Sequence, residues 1–217
     1  GAFGASINIL TDAISNNPYA EISNSVGSYN TSKHTVKFST GKLSDSFEFS
    51  GRLSKIDSDG YVDRAYSDLK SYFIQGAYIK GNTLIKALTF GGHEKTYQSW
   101  FGVTKQQLIE NRRQNPYTYE NEIDNYKQDH YQFHWNQKLN QKWSTNLGLN
   151  YTYGRGYFEQ FRDDDSIETY GGIVVSDIDQ QGNKTGTTDL IRRRWLDNNF
   201  YVLNASANYK TSKLNLT

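Results

Sequence analysis

Apolar and polar residues alternate with a period of two over much of this chain, which is the pattern of strands with two different faces. In the clearest run, Phe47, Phe49 and Leu53 alternate with Glu48 and Arg52. Similar alternation occurs in residues 130–136, 143–153 and 201–209, and weaker alternation in residues 19–26, 33–40, 71–80 and 83–90. The pattern predicts about eight strands, another beginning near Leu214, and helical turns only within 105–113.

The connections between these segments are alternately short and long. Short turns such as Gly81-Asn82 permit only hairpins, because parallel pairing needs a crossover of about a dozen residues. We therefore expect antiparallel pairing in sequence order, as in 33–40 with 47–55 and 130–139 with 143–153. Long loops are predicted near 57–70, 91–125 and 162–198. Short turns at one end and long loops at the other are typical of an outer-membrane β-barrel.

The alternation also assigns each residue to one face of the expected barrel. A charge on the lipid face costs about 2–4 kcal/mol at mid-depth, so the apolar set should face lipid and the polar set the lumen. The predicted outward set is Phe47, Phe49, Leu53, Tyr131, Phe133, Trp135, Leu147, Leu149, Leu203 and Ala205. The predicted lumen set is Glu48, Arg52, Gln132, His134, Asn146, Asn150, Asn204 and Asn208.

Composition supports β structure with one wet face. Only 35% of the residues are hydrophobic, yet 15% are aromatic, which is too poor in aliphatic residues for an ordinary α/β enzyme. The 24 basic residues balance 23 acidic ones, so no basic field points to nucleic acid. Cys is absent, which excludes a disulfide framework and a Cys nucleophile. No apolar run is long enough for a transmembrane helix.

Three segments resemble TonB-dependent outer-membrane receptors. The first twelve residues read GAFGASINILTD, which is similar to the Gly-rich turn and Ile-Asn-Ile strand at the end of the plug domain in that family. Residues 124–131 and 189–198, which read DNYKQDHY and DLIRRRWLDN, resemble Bacteroidetes-type members. Each of these two segments leads into a strand with aromatic residues, as it does in the family.

The resemblance implies that residues 1–15 end a plug domain and that residues 16–217 form the N-terminal part of an all-β, antiparallel up-and-down transmembrane β-barrel. About eight or nine strands of a barrel of about 22 would be present, with extracellular loops at its long-loop end. The implied function is energy-coupled uptake of a scarce nutrient (an iron–siderophore, haem, cobalamin or an oligosaccharide) across the outer membrane of a Gram-negative cell. The implied partners are the TonB complex, outer-membrane lipid and lipopolysaccharide, and the nutrient itself, with no cofactor.

Candidate ligand-binding residues lie in two of the long loops. Aromatic side chains on exposed loops offer stacking surface at low entropic cost, although the same rings could pack on one another to order the loop. Arginines can hold an anionic ligand or the phosphates of lipopolysaccharide, or they can mark a charged strand entrance. The candidates are Tyr97, Trp100, Phe101, Tyr117, Tyr119, Arg192, Arg193 and Arg194.

Other polar groups favour structural roles. His130 and His134 are four residues apart, which on a strand separates them by roughly 13 Å and prevents them from binding one ion. Asp163-Asp164-Asp165 lacks the spacing of a calcium-binding loop and reads as a solvated acidic segment. With no Ser-His-Asp spacing, phosphate loop or zinc motif, we expect no enzyme and no metal site.

Two alternatives to a receptor stay open at this point. A complete small barrel of eight strands would act as an outer-membrane anchor or adhesin. A soluble β-sandwich would bind glycans through its aromatic loops. The strand beginning near Leu214 counts against the small barrel, and the long loops count against the sandwich.

Overall fold

The protein forms one antiparallel sheet, and the computed structural model describes residues 14–171 and 186–216. The expected plug end, residues 1–15, falls almost wholly outside the described residues. Nine strands occur in the described part of the chain. They are β1 (Pro18–Val26), β2 (Ser32–Thr40), β3 (Phe47–Ser58), β4 (Ser67–Lys80), β5 (Thr83–Tyr97), β6 (Ile123–Lys138), β7 (Trp143–Ser166), β8 (Thr187–Lys210) and β9 (Asn215–Leu216).

Each strand pairs antiparallel with its neighbours in sequence, in the order β1 to β9. The two pairings expected from the short turns, β2 with β3 and β6 with β7, are confirmed. The tightest hairpin joins β4 to β5 through Gly81-Asn82, where Gly81 has a φ of 57° that an L side chain rarely adopts. Because every connection is a hairpin, the sheet is an up-and-down meander.

The strands run further than the alternation predicted, so the loops are shorter than the expected 57–70, 91–125 and 162–198. The connecting segments are 59–66, 98–122 and 167–186, and residues 172–185 of the last lie outside the described part. Strands β7 and β8 are 24 residues each and pair as far as Ser166 with Thr187. Their upper parts were predicted as loop because Arg162–Ser166 is polar throughout and Thr187–Arg194 shows no period-two alternation.

Within the described residues, helical structure is confined to the long-loop end. The helix α1 (Lys105–Glu110) is shorter than the predicted 105–113. A capping box between Thr104 and Gln107 caps its N-terminus. A single 3-10 turn, Ile167–Tyr170, follows β7. No helix among residues 14–171 and 186–216 combines the length and the apolar character that crossing a membrane requires.

Burial in this sheet is the reverse of that in a water-soluble protein. The predicted outward set shares one face and the predicted lumen set shares the other, because the register places Phe49, Phe133, Leu149 and Leu203 on the same cross-strand row. Leu203 is 67% exposed, whereas Gln75 on the opposite face is 1% exposed. Apolar side chains therefore splay on the outer face, and polar side chains crowd together on the inner face.

The inner face accommodates polar groups by hydrogen-bonding them to one another. The buried Glu48 carboxylate accepts from the Ser39 hydroxyl at 2.6 Å and from the Gln75 amide at 3.4 Å. Nearby, the His130 ring stacks on Phe90 at 4.4 Å and its Nδ1 lies 2.8 Å from the Thr152 hydroxyl. Buried polar groups are tolerated when they are paired in this way. The face is thus a polar lining.

The exposed apolar face predicts that residues 1–217 alone do not behave as a soluble monomer. Expressed without detergent, this polypeptide should aggregate, because a wide apolar face and unpaired sheet edges recruit further copies. Light scattering and a denaturant titration would measure this, and addition of detergent should restore β-sheet signal. A monodisperse monomer with a cooperative unfolding transition in plain buffer would contradict the interpretation.

Candidate functional site

The connections at the long-loop end pack into one ordered structure. Arg64, from the segment between β3 and β4, donates from Nη2 to the backbone oxygens of Asn115 at 3.0 Å and Tyr117 at 2.6 Å. Arg113 donates to the Tyr61 carbonyl at 2.8 Å and lies over the Tyr29 ring. Side chains of one loop thus satisfy backbone groups of the next. The loops form a platform above the sheet.

Segment 98–122 is fastened to β7 by three hydrogen bonds, which we call the latch. The Phe161 N–H donates to Glu122 Oε2 at 3.1 Å, where β7 extends beyond the end of β6. The Tyr119 hydroxyl donates to Glu159 Oε1 at 2.7 Å, and the Gln98 amide donates to the Glu159 carbonyl at 3.5 Å. Gln98, Glu122 and Glu159 are all nearly inaccessible to solvent.

The pKa values of the two latch carboxylates shift in opposite directions. Burial raises the pKa of Glu122, and the Phe161 N–H only partly offsets it. Burial would raise the pKa of Glu159 as well, but the hydrogen bonds from Tyr119 and Arg193 outweigh it and lower this pKa. Glu159 is therefore held as a carboxylate, ion-paired to Arg193 on the facing strand.

The arginine triplet is split between the two faces of the sheet. Successive strand residues point to opposite sides, so Arg193 lies on the outer face, opposite the latch residue Glu159 with which it pairs. Arg192 and Arg194 lie on the inner face. Arg192 donates to Gln160 Oε1 at 2.6 Å, and its buried Nε has no hydrogen-bond partner among the described residues. The three arginines therefore do not form one anion site.

The candidate aromatic residues pack in pairs but leave two rings open. Tyr97 is 5% exposed and donates to the Tyr119 carbonyl, which makes it structural. Trp100 and Phe101 are 60% and 63% exposed. Phe101 contacts Tyr117 at 5.2 Å between ring centroids, so the rings do order the loop. Trp100 and Phe101 keep stacking surface available to a ligand.

Two of the predicted site residues, Trp100 and Arg194, meet at Phe158 on the inner face, and we call these three residues the inner-face patch. Trp100 meets the Phe158 ring edge-on at 5.8 Å, and the Arg194 guanidinium lies 5.7 Å from the same ring. Phe158 was not among the predicted site residues. Its register opposite Arg194 in β7 and β8 is the signal that could have revealed it. An exposed aromatic ring beside a guanidinium can stack on and charge-pair with an anionic ligand.

Carboxylates of the acidic run Asp163–Asp165 form hydrogen bonds with neighbouring side chains of the protein. Asp165 accepts from Arg162 at 2.9 Å and from the Tyr170 hydroxyl at 2.7 Å, and these bonds lower its pKa. Asp164 accepts from the Thr187 hydroxyl across the hairpin. Within residues 14–171 and 186–216, no group of three His, Asp or Glu side chains is placed to hold a metal ion.

Comparison with known proteins establishes the fold. No protein-family model and no curated protein sequence matches the chain. The chain superposes on the crystal structure of the ferric-catecholate import receptor Fiu from E. coli K12, in its closed form, with a TM-score of 0.62 and 10% sequence identity. The match covers 92% of this chain and 30% of the receptor chain. The fold is thus that of a β-barrel segment, and the expected fold class is confirmed.

The latch predicts a local response to substitution. Glu159→Gln should weaken the hold on segment 98–122 by about 1–3 kcal/mol, because Tyr119 and Arg193 lose a charged acceptor. Hydrogen–deuterium exchange on the full-length protein in detergent should then show faster exchange at Tyr119 and Glu122. The exposed neighbour Glu120 supplies the control Glu120→Gln. Equal exchange in the two variants would contradict the latch.

The lowered pKa of Glu159 gives the same contact a pH dependence. A depressed carboxyl pKa stabilises the folded state above the ordinary carboxyl pKa, and this contribution is lost as pH falls through the lowered value. Segment 98–122 should therefore become protease-sensitive in acid before the strands unfold. Limited proteolysis with an acid-active protease, compared with Glu159→Gln, would measure it. A wild-type profile that matches the variant at every pH would count against this.

Proposed function

We propose that this chain is part of a TonB-dependent outer-membrane receptor that imports a scarce nutrient. The observation that carries the proposal is the reversed burial of the sheet, with Leu203 and Tyr201 exposed on one face and Glu48 and Gln75 buried on the other. Lipid is the solvent in which such an outer face is stable. The receptor-like fold supports the same assignment.

The outer face has the dimensions of a membrane band. Trp143 packs on Tyr209 at 4.9 Å near the short-turn end, and Tyr151 stacks on Tyr131 and Tyr201 at 5.9 and 4.8 Å toward the loops. These groups correspond to the two aromatic girdles of outer-membrane barrels. From Trp143 to Tyr153 a strand rises about 34 Å, which at a tilt of about 40° gives a band about 25 Å tall.

The remaining parts of the receptor would lie elsewhere in a longer protein. Nine strands cannot close a barrel of about 22, so the lumen and plug must be completed by further chain. Energy would come from the TonB complex acting on that plug. The chain would act in binding and transport, with no catalytic step, in the outer membrane of a Gram-negative cell.

Among an iron–siderophore, haem, cobalamin and an oligosaccharide, the inner-face patch favours an anionic, aromatic ligand. Trp100 and Phe158 offer ring surface, and Arg194 supplies a charge-assisted donor beside them. A ferric tris-catecholate complex combines negative charge with flat rings. We therefore place an iron–siderophore first among the four.

Membrane embedding predicts opposite outcomes at two adjacent positions. Leu203→Arg should destabilise the full-length protein in phosphatidylcholine vesicles, because the charge enters lipid. The free energy of unfolding should fall by about 2–4 kcal/mol. Asn204→Arg is the matched control, because this side chain faces the lumen. A urea titration of both variants measures the difference. Equal losses would exclude a lipid-facing position for Leu203.

Ligand capture predicts a second pair of outcomes. Arg194→Gln should reduce binding of a radiolabelled ferric tris-catecholate complex by about tenfold, through the loss of one charge-assisted contact. Arg112→Gln removes an exposed arginine of segment 98–122 and is the control. It should leave binding of the complex unchanged. Unchanged binding in Arg194→Gln, with the barrel folded, would remove the siderophore from first place.

A further inference from the structure

A row of basic side chains crosses the outer face immediately above the apolar band. Six residues lie directly opposite one another on six successive strands, β2 to β7, and continue to Asp197 on β8. The row is His34, Lys55, Lys70, His93, Lys127 and Arg155. Five strand spacings give it a length of about 24 Å. We call it the cationic row.

The cationic row is unfavourable for the sheet by itself. Like charges directly opposite on neighbouring strands repel, as Lys55 and Lys70 do here. Each Lys or Arg has an acidic partner beside it, such as Asp68 for Lys70 at 3.5 Å and Asp129 for Lys127 at 3.1 Å. These acids limit the repulsion when nothing is bound.

The ion pairs leave the cations available to a stronger acceptor. The side chains of Lys55, Lys70, Lys127 and Arg155 are 47%, 55%, 62% and 58% exposed. Exposed ion pairs contribute little, so exchanging a carboxylate for a phosphate costs little. Asp129 also accepts from the Tyr72 hydroxyl at 2.9 Å, so it stays hydrogen-bonded if Lys127 turns away.

Two depressions of the outer face lie one below the other, at the cationic row and in the apolar band, with the Tyr72–Asp129 hydrogen bond on the row between them. We call this pair the groove. Its upper part, with a volume of about 580 Å³, is lined by Lys55, Lys70, His93 and Lys127 among others. Its lower part, of about 820 Å³, has a floor of small residues, Gly76, Ala87 and Thr89. The lower walls are Phe49 and Ile74 on one side and Tyr131 and Phe133 on the other.

We propose that this groove binds one lipid that carries a phosphorylated headgroup, with an acyl chain along Gly76 and Ala87 and phosphate on Lys70, His93 and Lys127. The inference rests on the proposed function, because it requires this face to lie in the outer leaflet. Charge complementarity selects an anionic headgroup, and the apolar lower part selects a hydrocarbon chain. A free phosphate would match only the upper part.

The test uses the full-length receptor in detergent micelles and lipid A as the probe. Native mass spectrometry should show one lipid A retained by the wild type, with dephosphorylated lipid A and inorganic phosphate each binding at least about tenfold more weakly. The double variant Lys70→Gln/Lys127→Gln should lose at least about tenfold in lipid A affinity. Equal binding of inorganic phosphate and lipid A would overturn the lipid assignment.

The matched control removes two lysines from the other border of the band. Lys80 is on the same strand as Lys70 and the same face, and Lys142 lies in the turn before β7. Lys80→Gln/Lys142→Gln should bind lipid A as the wild type does. If both double variants lose affinity equally, or neither does, the cationic row is not the site.

The apolar part of the groove is tested by filling it. A Cβ added at Gly76 would meet nothing within 4 Å, so Gly76→Leu should fold while occupying the space of the acyl chain. We expect weaker lipid A binding and unchanged inorganic phosphate binding, and an unchanged lipid A affinity would overturn the acyl position. Folding is checked by heat-modifiable electrophoretic migration. If neither the wild type nor any variant folds in detergent, the proposed function itself is contradicted. If all of them fold and bind lipid A with equal affinity, only the lipid site is rejected.

Discussion

The whole structure depends on one continuous ladder of backbone hydrogen bonds that runs from β1 to β9 without a crossover. In hydrocarbon an unpaired N–H or C=O costs several kcal/mol, so only a fully paired arrangement can cross it. Pairing in sequence order also fixes the register, and the register fixes which residues share a face. A slip of one residue would exchange the apolar outer face with the polar inner face.

The second feature follows from that fixed register and from the curvature of the sheet. Side chains on the inner face crowd together, and those on the outer face spread apart. Glu48, Ser39 and Gln75 can be buried because the Glu48 carboxylate accepts hydrogen bonds from the other two side chains, while Leu203 on the outer face is exposed. Under the proposed function, the solvent of Leu203 is lipid. The same side chains would be unstable in the reverse arrangement in water.

The candidate site lies on the parts of the sheet that extend past the apolar band. Strands β7 and β8 continue well beyond Tyr153 and give segment 98–122 an edge on which to rest. The latch of Glu122 and Glu159 joins loop to strand, while Arg194 and Trp100 stay open on the inner face. The sheet therefore holds the candidate groups in fixed positions, as a scaffold commonly does for the loops that it carries.

The sequence by itself determined the strands, their antiparallel order and the two faces, because period-two alternation and hairpin turns are local properties. It could not determine where β7 ends and β8 begins, because Arg162–Ser166 is polar throughout and Thr187–Arg194 shows no alternation of apolar and polar residues. Only the tertiary structure separated Arg193 from Arg192 and Arg194, paired Glu159 with Tyr119, and aligned Lys55, Lys70 and Lys127 in one row. Those relations join residues far apart in sequence, and the cross-strand register that brings them together is a property of the assembled sheet.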